Sequence, residues 1–531
     1  MIGNSLQNGP MPNSTPAAPR GPAPANDEVE IKLLVAPEDV ERLLAHPRFA
    51  EAEAKVKPQR DVYYDTPDLD LLARGVALRL RRSGEAFIQT VKTLDAAEGA
   101  GAAGATVRKE WEWPVAGDAL DLGKLGGPGV RDYVPKEVRE ALRPIFETDI
   151  RRTVLTLKVG RGAIEAAVDV GAVRAGGAEH RVSEMELELK GAPVPALYDL
   201  ALELHRAVPL QLSSGTKAAA GYGLATGRKV QARKAATMVL TPAMTVADAF
   251  RHVVRACLSH LVANQGALLA GDTVDGIHQM RVAVRRLRSA FGLFRPFIAD
   301  DESARLREEL KWLAGALGPA RDWDVFVTQI LPRSEDYEAP AEARAALAEA
   351  AEAVRAAANV AALEAIRSPR YTDLLLTLGG WLEGGRWHQR ADRGAPVNGP
   401  IHEAARTSLA KGFKRVKRGG RKLDWEDAEP RHELRKDLKK FRYAVDFFKR
   451  LFPQDRVEPY LGALESLQDD MGELNDYAVA QHLFAELRNR APAAGPAATA
   501  LAARFAKREK KRVKDLPKAW RRFMDADPFW C

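Results

Sequence analysis

Cysteine is scarce in this chain. Its 531 residues include two cysteines, Cys257 and Cys531, which stand far apart. This scarcity excludes a disulfide framework and a cysteine-based zinc site, because both need several cysteines at short spacings. No apolar run approaches the roughly 18 residues of a membrane span, and no charged-then-apolar segment of the signal-peptide type opens the sequence. We therefore expect a cytoplasmic protein without a membrane partner.

The net charge is modest and unevenly distributed. The chain has 80 basic and 72 acidic side chains, which gives a net charge of +8. From Ala243 to the C-terminus there are 48 lysines and arginines against 40 aspartates and glutamates, so the whole surplus lies in that part. A cationic surface attracts polyanions. We expect any basic binding surface to belong to the C-terminal half.

The length exceeds what one hydrophobic core usually organises, so more than one domain is expected. Residues 1–27 have almost no large apolar side chains and are predicted to be a disordered, proline-rich tail. Residues 28–227 alternate short strand-like segments with turns, and residues 228–242 form a basic linker. Residues 243–525 repeat apolar side chains every three or four positions, which predicts an all-helical domain.

Four segments of the N-terminal half alternate charged with apolar residues: 28–32 (EVEIK), 78–81 (LRLR), 108–113 (RKEWEW) and 184–190 (EMELELK). Residues two apart share a face of a strand, so each segment sets a row of charges opposite a row of large apolar side chains. One such strand alone is typical of a sheet with a wet face. The recurrence of the pattern, with acids and bases sorted by sign, favours an antiparallel barrel with a charged interior.

A hairpin is also predicted in this half. Thr153–Val159 and Ile164–Val173 are strand-like, and the glycines of the intervening segment, 160–162, suit a tight turn. Glu165 and Asp169 fall on one face of the returning strand because their positions differ by an even number. Both carboxylates are therefore expected to share a face of the sheet.

The ordered set of charged positions resembles the CYTH family, the triphosphate tunnel metalloenzymes. Five segments carry the resemblance: ExExK at 28–32, YDT at 64–66, RxR at 79–81, TVK at 90–92 and ExE at 184–186. The resemblance covers about residues 28–225. It implies an antiparallel β-barrel whose interior holds a metal ion and binds a triphosphate.

The resemblance also implies roles for individual residues. Glu28, Glu30 and Lys32 are expected to be catalytic. Mg²⁺ or Mn²⁺, which prefer hard oxygen ligands, would be held by the carboxylates Glu28, Glu30, Asp169, Glu184 and Glu186. Phosphate oxygens, which suit arginine forks, would be bound by the cations Lys32, Arg79, Arg81, Lys92, Arg108, Arg152 and Lys217. The choice between Arg151 and Arg152 stays open, because a shift of one residue reverses their directions.

The C-terminal half contains an internal repeat, in which residues 278–325 recur as 432–479 with an offset of 154. The repeat predicts two similar helical bundles packed as a pseudo-symmetric pair. Spacings of three and four place a histidine and three cations in one stripe of a helix, beside an apolar stripe. The stripe comprises His278, Arg281, Arg285 and Arg288 in the first copy and His432, Arg435, Lys439 and Arg442 in the second.

These helical motifs resemble the CHAD domain, a conserved histidine α-helical module. The resemblance covers about residues 245–525 and implies that the eight stripe residues bind inorganic polyphosphate, possibly in granules, within a basic cavity. A solvated basic face paired with acids is the alternative. No second histidine or cysteine stands at ligand spacing, so zinc is not expected. Sequence-specific nucleic-acid binding is not expected either, because no aromatic residues interleave the stripe and no DNA-binding motif appears.

Together the two resemblances imply metal-dependent hydrolysis of inorganic triphosphate to pyrophosphate and phosphate, by a protein that also binds polyphosphate. Two alternatives stay open. One is a tunnel enzyme acting on a nucleoside or thiamine triphosphate, or cyclising ATP. The other is a polyphosphate-binding scaffold with weak or no hydrolase activity. The chain has no evident feature that would recognise a nucleobase, which disfavours the first alternative. Five clustered carboxylates are unneeded without metal chemistry, which disfavours the second. Both points favour hydrolysis of inorganic triphosphate.

Overall fold

The computed structural model describes residues 28–94, 105–332, 337–388 and 397–531. The side chains of Glu28, of residues 105–108 and of Arg386 are outside the described set. The predicted tail, 1–27, also lies outside the described residues. The described chain has an antiparallel sheet in its N-terminal part and helices after it, which confirms the two predicted structural classes.

The described strands form one antiparallel sheet. They are β1 (Glu28–Val35), β2 (Lys55–Asp65), β3 (Val76–Ser83), β4 (Ala86–Thr93), β5 (Ala105–Arg108), β6 (Glu110–Val115), β7 (Arg143–Val159), β8 (Gly162–Ala175), β9 (Ala178–Lys190) and β10 (Leu210–Ser213). Their order is β10-β1-β9-β8-β7-β2-β3-β4-β6, with β5 paired to β1. The predicted hairpin is confirmed as β7 and β8, with Arg152 opposite Asp169.

The order of hydrogen-bonded strands is an open path with β10 and β6 at its ends. β5 pairs with β1 and β6 pairs with β4, while Lys109 alone separates β5 from β6. The antiparallel sheet is therefore as predicted, and closure of the sheet into a barrel stays a prediction.

The two faces of the sheet differ as the alternation predicts. Ile31 and Leu33 of β1 are fully buried in the main apolar core. Glu30 and Lys32 lie on the opposite face and line a cavity. Five described α-helices belong to this part: α1 (Val40–Leu44), α2 (Asp70–Ala73), α3 (Lys136–Glu140), α4 (Val194–Ala207) and α5 (Lys217–Thr226).

Within the described C-terminal part, regular structure is helical. The helices are α6 (Val246–Leu269), α7 (Thr273–Leu293), α8 (Arg295–Ile298), α9 (Asp301–Ala316), α10 (Gly318–Val325), α11 (Ala341–Arg367), α12 (Pro369–Gly384), α13 (Ile401–Gly420), α14 (Ala428–Phe448), α15 (Gln454–Arg490), α16 (Gly495–Val513) and α17 (Leu516–Met524). Both histidine segments lie on 21-residue helices, α7 and α14. In the ranges described, no helix is both long and apolar enough to cross a membrane.

One apolar core joins the sheet to the helices. It contains Leu33 and Leu212 of the sheet, Tyr198 of α4 and Leu258 of α6. At Gly379 of α12, a Cβ atom would lie 2.3 Å from the Tyr198 ring, so the glycine is what permits this close approach. A continuous apolar interface opposes relative domain motion. The two parts therefore pack in one fixed arrangement.

Gly221→Ala is expected to lower the free energy of unfolding by about 3 kcal/mol, because overpacking of a core costs that much. A Cβ at Gly221 would lie 2.1 Å from the Phe146 ring, which stacks on Tyr63 and touches Tyr222. Urea unfolding measures the change. Gly223→Ala, on the same helix, places its Cβ 3.4 Å from a carbonyl oxygen and should remain near wild type. Equal losses in both variants would contradict the packing explanation.

Candidate active site

The charged face of the sheet lines one concave cavity of about 720 Å³. Its walls come from β1 to β4, from β6 to β9 and from the first turn of α5. Six of the seven predicted phosphate-binding cations line it: Lys32, Arg79, Arg81, Lys92, Arg152 and Lys217. The seventh, Arg108, has its side chain outside the described set, as does Glu28. The predicted cations thus converge on one space from four strands and one helix.

Three of the predicted metal ligands form a carboxylate cluster: Asp169, Glu184 and Glu186. Asp169 of β8 stands directly opposite Glu184 of β9, and Glu186 follows on the same face of β9. An oxygen from each of the three lies within 4.8 Å of the others. Asp169 is 0% exposed. Such close, buried carboxylates repel one another unless positive charge lies between them.

Two lysines supply that positive charge. The Lys32 Nζ lies 3.0 Å from Glu184 Oε1 and 2.6 Å from Glu186 Oε1. The Lys217 Nζ lies 2.6 Å from Asp169 Oδ2 and 3.3 Å from Glu186 Oε1, and it also pairs with Glu184. Lys32 comes from the middle of β1, while Lys217 is the first residue of α5. The cluster therefore holds two cations from distant parts of the chain.

Arg152 is the third cation at the cluster. Its guanidinium donates to both carboxylate oxygens of Asp169, at 2.7 and 2.6 Å, and to Glu186 Oε2 at 2.6 Å. The neighbouring Arg151 is exposed. The pairing of β7 with β8 sets Arg152 opposite Asp169 and thereby selects Arg152 for the cavity.

The charge network fixes the ionisation of these groups. Burial alone would raise the pKa of Glu186, but Lys217, Lys32 and Arg152 hold that pKa well below its usual range. Burial would likewise raise the pKa of Asp169, but Lys217 and Arg152 lower it below its ordinary value. Burial would lower the pKa of Lys32, yet Glu186 and its neighbours raise it. Asp169 and Glu186 are therefore ionised and Lys32 is protonated at neutral pH.

A second set of pairs occupies the β3 side of the cavity. Arg81 donates from Nε and Nη2 to the two oxygens of Asp61, both at 2.9 Å. Arg79 lies 3.4 Å from Asp61 and 3.2 Å from Glu110, and Lys92 lies 3.5 Å from Glu110. Burial would raise the pKa of Asp61, but Arg79 and Arg81 lower it. The two arginine forks are thus held in place with their charge facing the cavity.

Asp61 was not among the predicted site residues. It stands two positions before Tyr63 on β2, and both side chains are buried on one face. That parity indicates a buried acid on the charged face, but sequence spacing alone does not identify the cations that pair with it. An acid that shares the face of a strand with a buried aromatic residue is itself buried, and a buried acid needs a cationic partner.

The donor set fits a hard divalent ion. Asp169, Glu184 and Glu186 supply oxygen ligands, which Mg²⁺ and Mn²⁺ prefer. Glu30 lines the same cavity from β1 and is 6% exposed. The cluster also demonstrates its affinity for positive charge, since three protein cations contact it.

Cations from α7 and α14 form a second charged site, termed here the helical basic cluster: Arg281, Arg285, Arg435 and Lys439. The two helices are in contact, and the Arg285 Nε donates to the Tyr443 hydroxyl at 3.2 Å. All four cations are partly buried. Among the described residues, none of the four forms an ion pair. Asp322 attracts Arg281, and Asp476 attracts Arg435 and Lys439, but neither acid forms an ion pair with them. Partly buried positive charge without an ion-pair partner is costly and marks a place for an anion.

Mutual repulsion is visible in the pKa values of this cluster. Burial, followed by Arg435 and Arg285, lowers the pKa of Lys439 to about 8. Burial, followed by Arg321 and Arg285, lowers the pKa of His278 to about 4. Arg321 of α10 was not predicted as a site residue, although it lies within the first copy of the repeat, residues 278–325. The predicted His278 is therefore neutral at physiological pH.

The structure does not bring all eight stripe residues together. Arg288 and His432 are exposed. Arg442 lies 2.8 Å from Glu465 of α15 and 3.2 Å from Asp446, so its charge already has acidic partners. The stripe is thus a central group of unpaired cations with paired or solvated residues at its margins.

Comparison with known proteins identifies two families. The CYTH domain model matches residues 26–222, and the CHAD domain model matches residues 252–485. An inorganic triphosphatase of Haemophilus influenzae is 31% identical over 199 residues, which are 37% of this chain. The match covers 54% of that relative, so the chain spans about half its length.

Two further similarities cover the helical part. An uncharacterized protein of Mycobacterium tuberculosis is 29% identical over 454 residues, 80% of this chain and 83% of that protein. The crystal structure of the CHAD domain from the plant Ricinus communis has a TM-score of 0.50 and 31% identity, covering 56% of this chain and 97% of that one. The chain therefore belongs to the CYTH and CHAD families, with a CYTH domain followed by a CHAD domain.

Proposed function

We propose that the cavity hydrolyses inorganic triphosphate to pyrophosphate and phosphate with a divalent metal ion. One observation carries the proposal: six cations line the same 720 Å³ space as Glu30 and Glu186, and Glu186 belongs to the carboxylate cluster. A linear triphosphate needs several positive charges along its length, and a metal ion needs hard oxygen ligands. The H. influenzae relative, an inorganic triphosphatase, supports this choice of substrate.

We propose further that β5 and β6 close the sheet into a tunnel. Arg108 of β5 stands opposite Glu28 of β1, and Glu110 of β6 stands opposite Lys92 of β4. Lys109 alone separates β5 from β6. The continuous segment β5–β6 therefore hydrogen-bonds to β1, near one end of the strand order, and to β4, near the other end. Closure removes exposed strand edges and shields the charged interior from bulk water.

The metal ion would be Mg²⁺ or Mn²⁺, held by Asp169, Glu184 and Glu186, with Glu28 and Glu30 of β1 completing the predicted ligand set. When bound, such an ion neutralises charge on phosphate oxygens and activates water for attack on phosphorus. The protein's own cations do the rest. Electrostatic stabilisation is the main demand of phosphoryl transfer.

The cations act by binding and orienting the phosphates. The forks of Arg79 and Arg81 suit bidentate contacts to phosphate oxygens. Asp61 and Glu110 hold these arginines in place before substrate binds, and phosphate oxygens would share them with the carboxylates. Lys32 keeps its proton at neutral pH. Burial would lower its pKa, but the attraction of Glu186 and neighbouring carboxylates outweighs burial and raises the pKa. Lys32 therefore contributes charge to the reaction and does not accept a proton.

The direct experiment measures phosphate release from triphosphate, ATP, thiamine triphosphate and long-chain polyphosphate, with Mg²⁺ and Mn²⁺ in turn. We expect kcat/KM to be highest for inorganic triphosphate and activity to vanish with a chelator. Preference for ATP or thiamine triphosphate, or formation of cyclic AMP, would replace the proposed substrate. Absence of metal-dependent hydrolysis for every substrate would favour the scaffold alternative.

We also propose that the helical basic cluster binds inorganic polyphosphate. The carrying observation is that Arg281, Arg285, Arg435 and Lys439 are partly buried without an ion-pair partner among the described residues. A regular anionic chain supplies the missing charge at repeated spacings. Because such binding is electrostatic, its affinity should fall with rising salt.

Polyphosphate binding is expected to take up a proton near pH 8.5. The pKa of Lys439 is about 8, lowered by burial and then by Arg435 and Arg285, with Asp476 acting in the opposite direction. A bound polyanion raises this pKa, so Lys439 is protonated on binding and affinity falls as pH rises above about 8. His278, with a pKa of about 4, stays neutral in this range.

Calorimetry at about pH 8.5 in two buffers of different ionisation enthalpy measures this uptake. Lys439→Arg serves as the control, because arginine remains charged throughout and the proton uptake should disappear. Uptake that is equal in the wild type and in Lys439→Arg would contradict the assignment to Lys439.

A further inference from the structure

The segment that carries Lys217 lies against a helix of the CHAD domain. β10 ends at Ser213, which stands opposite Lys32 in the β1–β10 ladder. Residues 214–216 then lead directly to Lys217, the first residue of α5. Both lysines of the carboxylate cluster are therefore tied to β10. Any movement of β10 is transmitted to the cavity through them.

Helix α6 contacts this segment at two points. The Gln265 Nε2 donates to the backbone oxygen of Leu212 at 2.9 Å, and the Gln265 side chain is 3% exposed. The Ser214 hydroxyl donates to the backbone oxygen of Val262 at 3.5 Å, a longer contact. The Leu212 side chain lies in the apolar core together with Leu261 of α6. Polar and apolar contacts thus fix β10 on α6.

β10 needs these contacts because it is the terminal strand of the sheet. Its ladder is with β1, and it stands at one end of the strand order in the described chain. A terminal strand leaves backbone groups of its outer edge unpaired. Leaving such a group without a partner in a buried place costs the desolvation of that group. Gln265 supplies the donor that a neighbouring strand would otherwise provide.

We propose that Gln265 is a positioning residue for Lys217, so that the CHAD domain completes the active site of the CYTH domain. This inference rests on the proposed triphosphatase function of the cavity. Gln265 touches neither the substrate site nor the carboxylates. It acts by holding β10 and the 214–216 turn, and this turn sets where the Lys217 ammonium meets Asp169 and Glu186.

The test is Gln265→Met in the full-length chain, because methionine keeps the volume and removes the donor. We expect KM for triphosphate to rise about tenfold with kcat within about twofold, because Lys217 is assigned to substrate binding, and losing a contact already made in the ground state raises KM. Amide hydrogen exchange should accelerate in residues 212–218. This second readout does not depend on activity.

Asn264→Ala is the matched control. Asn264 neighbours Gln265 on α6, is 0% exposed and bonds to the backbone of Arg233 and His260, not to β10. Its loss disturbs α6 to a similar extent, so KM should stay near wild type and exchange should accelerate around Arg233.

The possible results separate cleanly. Unchanged exchange in residues 212–218 of Gln265→Met would overturn the inference, as would equal kinetic losses in both variants, since those indicate general destabilisation. A wild-type protein without triphosphatase activity would sink the proposed function instead. In that case the exchange measurement still decides whether Gln265 holds β10.

Discussion

Glu186→Gln is expected to reduce metal-dependent phosphate release from triphosphate by about a thousandfold or more. Glu186 is a member of the carboxylate cluster and contacts Lys32, Arg152 and Lys217. The substitution removes one of the proposed metal ligands and leaves the three cations with less negative charge. A thousandfold change corresponds to about 4 kcal/mol of transition-state stabilisation, within the range a metal ion supplies. Steady-state kinetics with Mg²⁺ and Mn²⁺ measure the loss.

Glu179→Gln is the matched control for that experiment. Glu179 lies on the same strand, β9, and pairs with Arg174 outside the cavity. It removes the same charge by the same chemical change, so activity should remain within about twofold of wild type, as exposed ion pairs contribute little. Thermal unfolding of both variants checks that they fold. A folded Glu186→Gln protein with wild-type turnover would show that the carboxylate cluster takes no part in the hydrolysis.

The double substitution Arg285→Glu, Lys439→Glu is expected to weaken polyphosphate binding by about a hundredfold or more. Both side chains belong to the helical basic cluster, and the change replaces two unpaired cations with two anions. A hundredfold loss corresponds to about 2.7 kcal/mol. The dependence of affinity on salt should also become shallower, because fewer cations contact the chain. Titration with long-chain polyphosphate at two salt concentrations measures both effects.

Lys436→Glu, Lys440→Glu is the control with the same change in net charge. Sequence spacing suggests that these lysines widen the basic stripe, yet they pair with Glu433 and Asp437 on the same helix. Their substitution should change affinity by less than about threefold, since only long-range attraction is altered. Equal losses in the two double variants would mean that overall charge, and not the cluster, attracts the polymer.

The sheet was predictable because a strand has a period of two. Ile31 and Leu33 fall in the core while Glu30 and Lys32 face the cavity, as alternation requires. The choice between Arg151 and Arg152 needed more than alternation. Both are arginines, and the partner strand decides the choice by setting Asp169 opposite Arg152.

Ion pairing across elements was beyond the reach of sequence spacing. Asp61 escaped prediction because its role depends on the pairing of β2 with β3, which sets Asp61 opposite Arg81. Arg442 was predicted to bind polyphosphate with the rest of its stripe, but its guanidinium pairs with Glu465 of α15. Helical periodicity places residues on a face but does not say which acids another helix brings there.

The contact between the domains was likewise not predictable. Gln265 follows another buried polar residue, Asn264, and its own partner is a backbone oxygen 53 residues away in sequence. A backbone acceptor has no sequence signature. The same holds for Gly379, whose importance follows from the ring of Tyr198 lying against it.

A crystal structure of the protein with Mn²⁺ and a slowly hydrolysed triphosphate analogue is the most direct test of the shared cavity. We expect an anomalous Mn²⁺ peak in contact with Asp169, Glu184 and Glu186, and phosphate oxygens bound by Arg79 and Arg81 in the same space. A metal peak elsewhere, or an analogue bound outside the sheet with the cavity's ion pairs unchanged, would contradict the assignment of the cavity as a triphosphatase site.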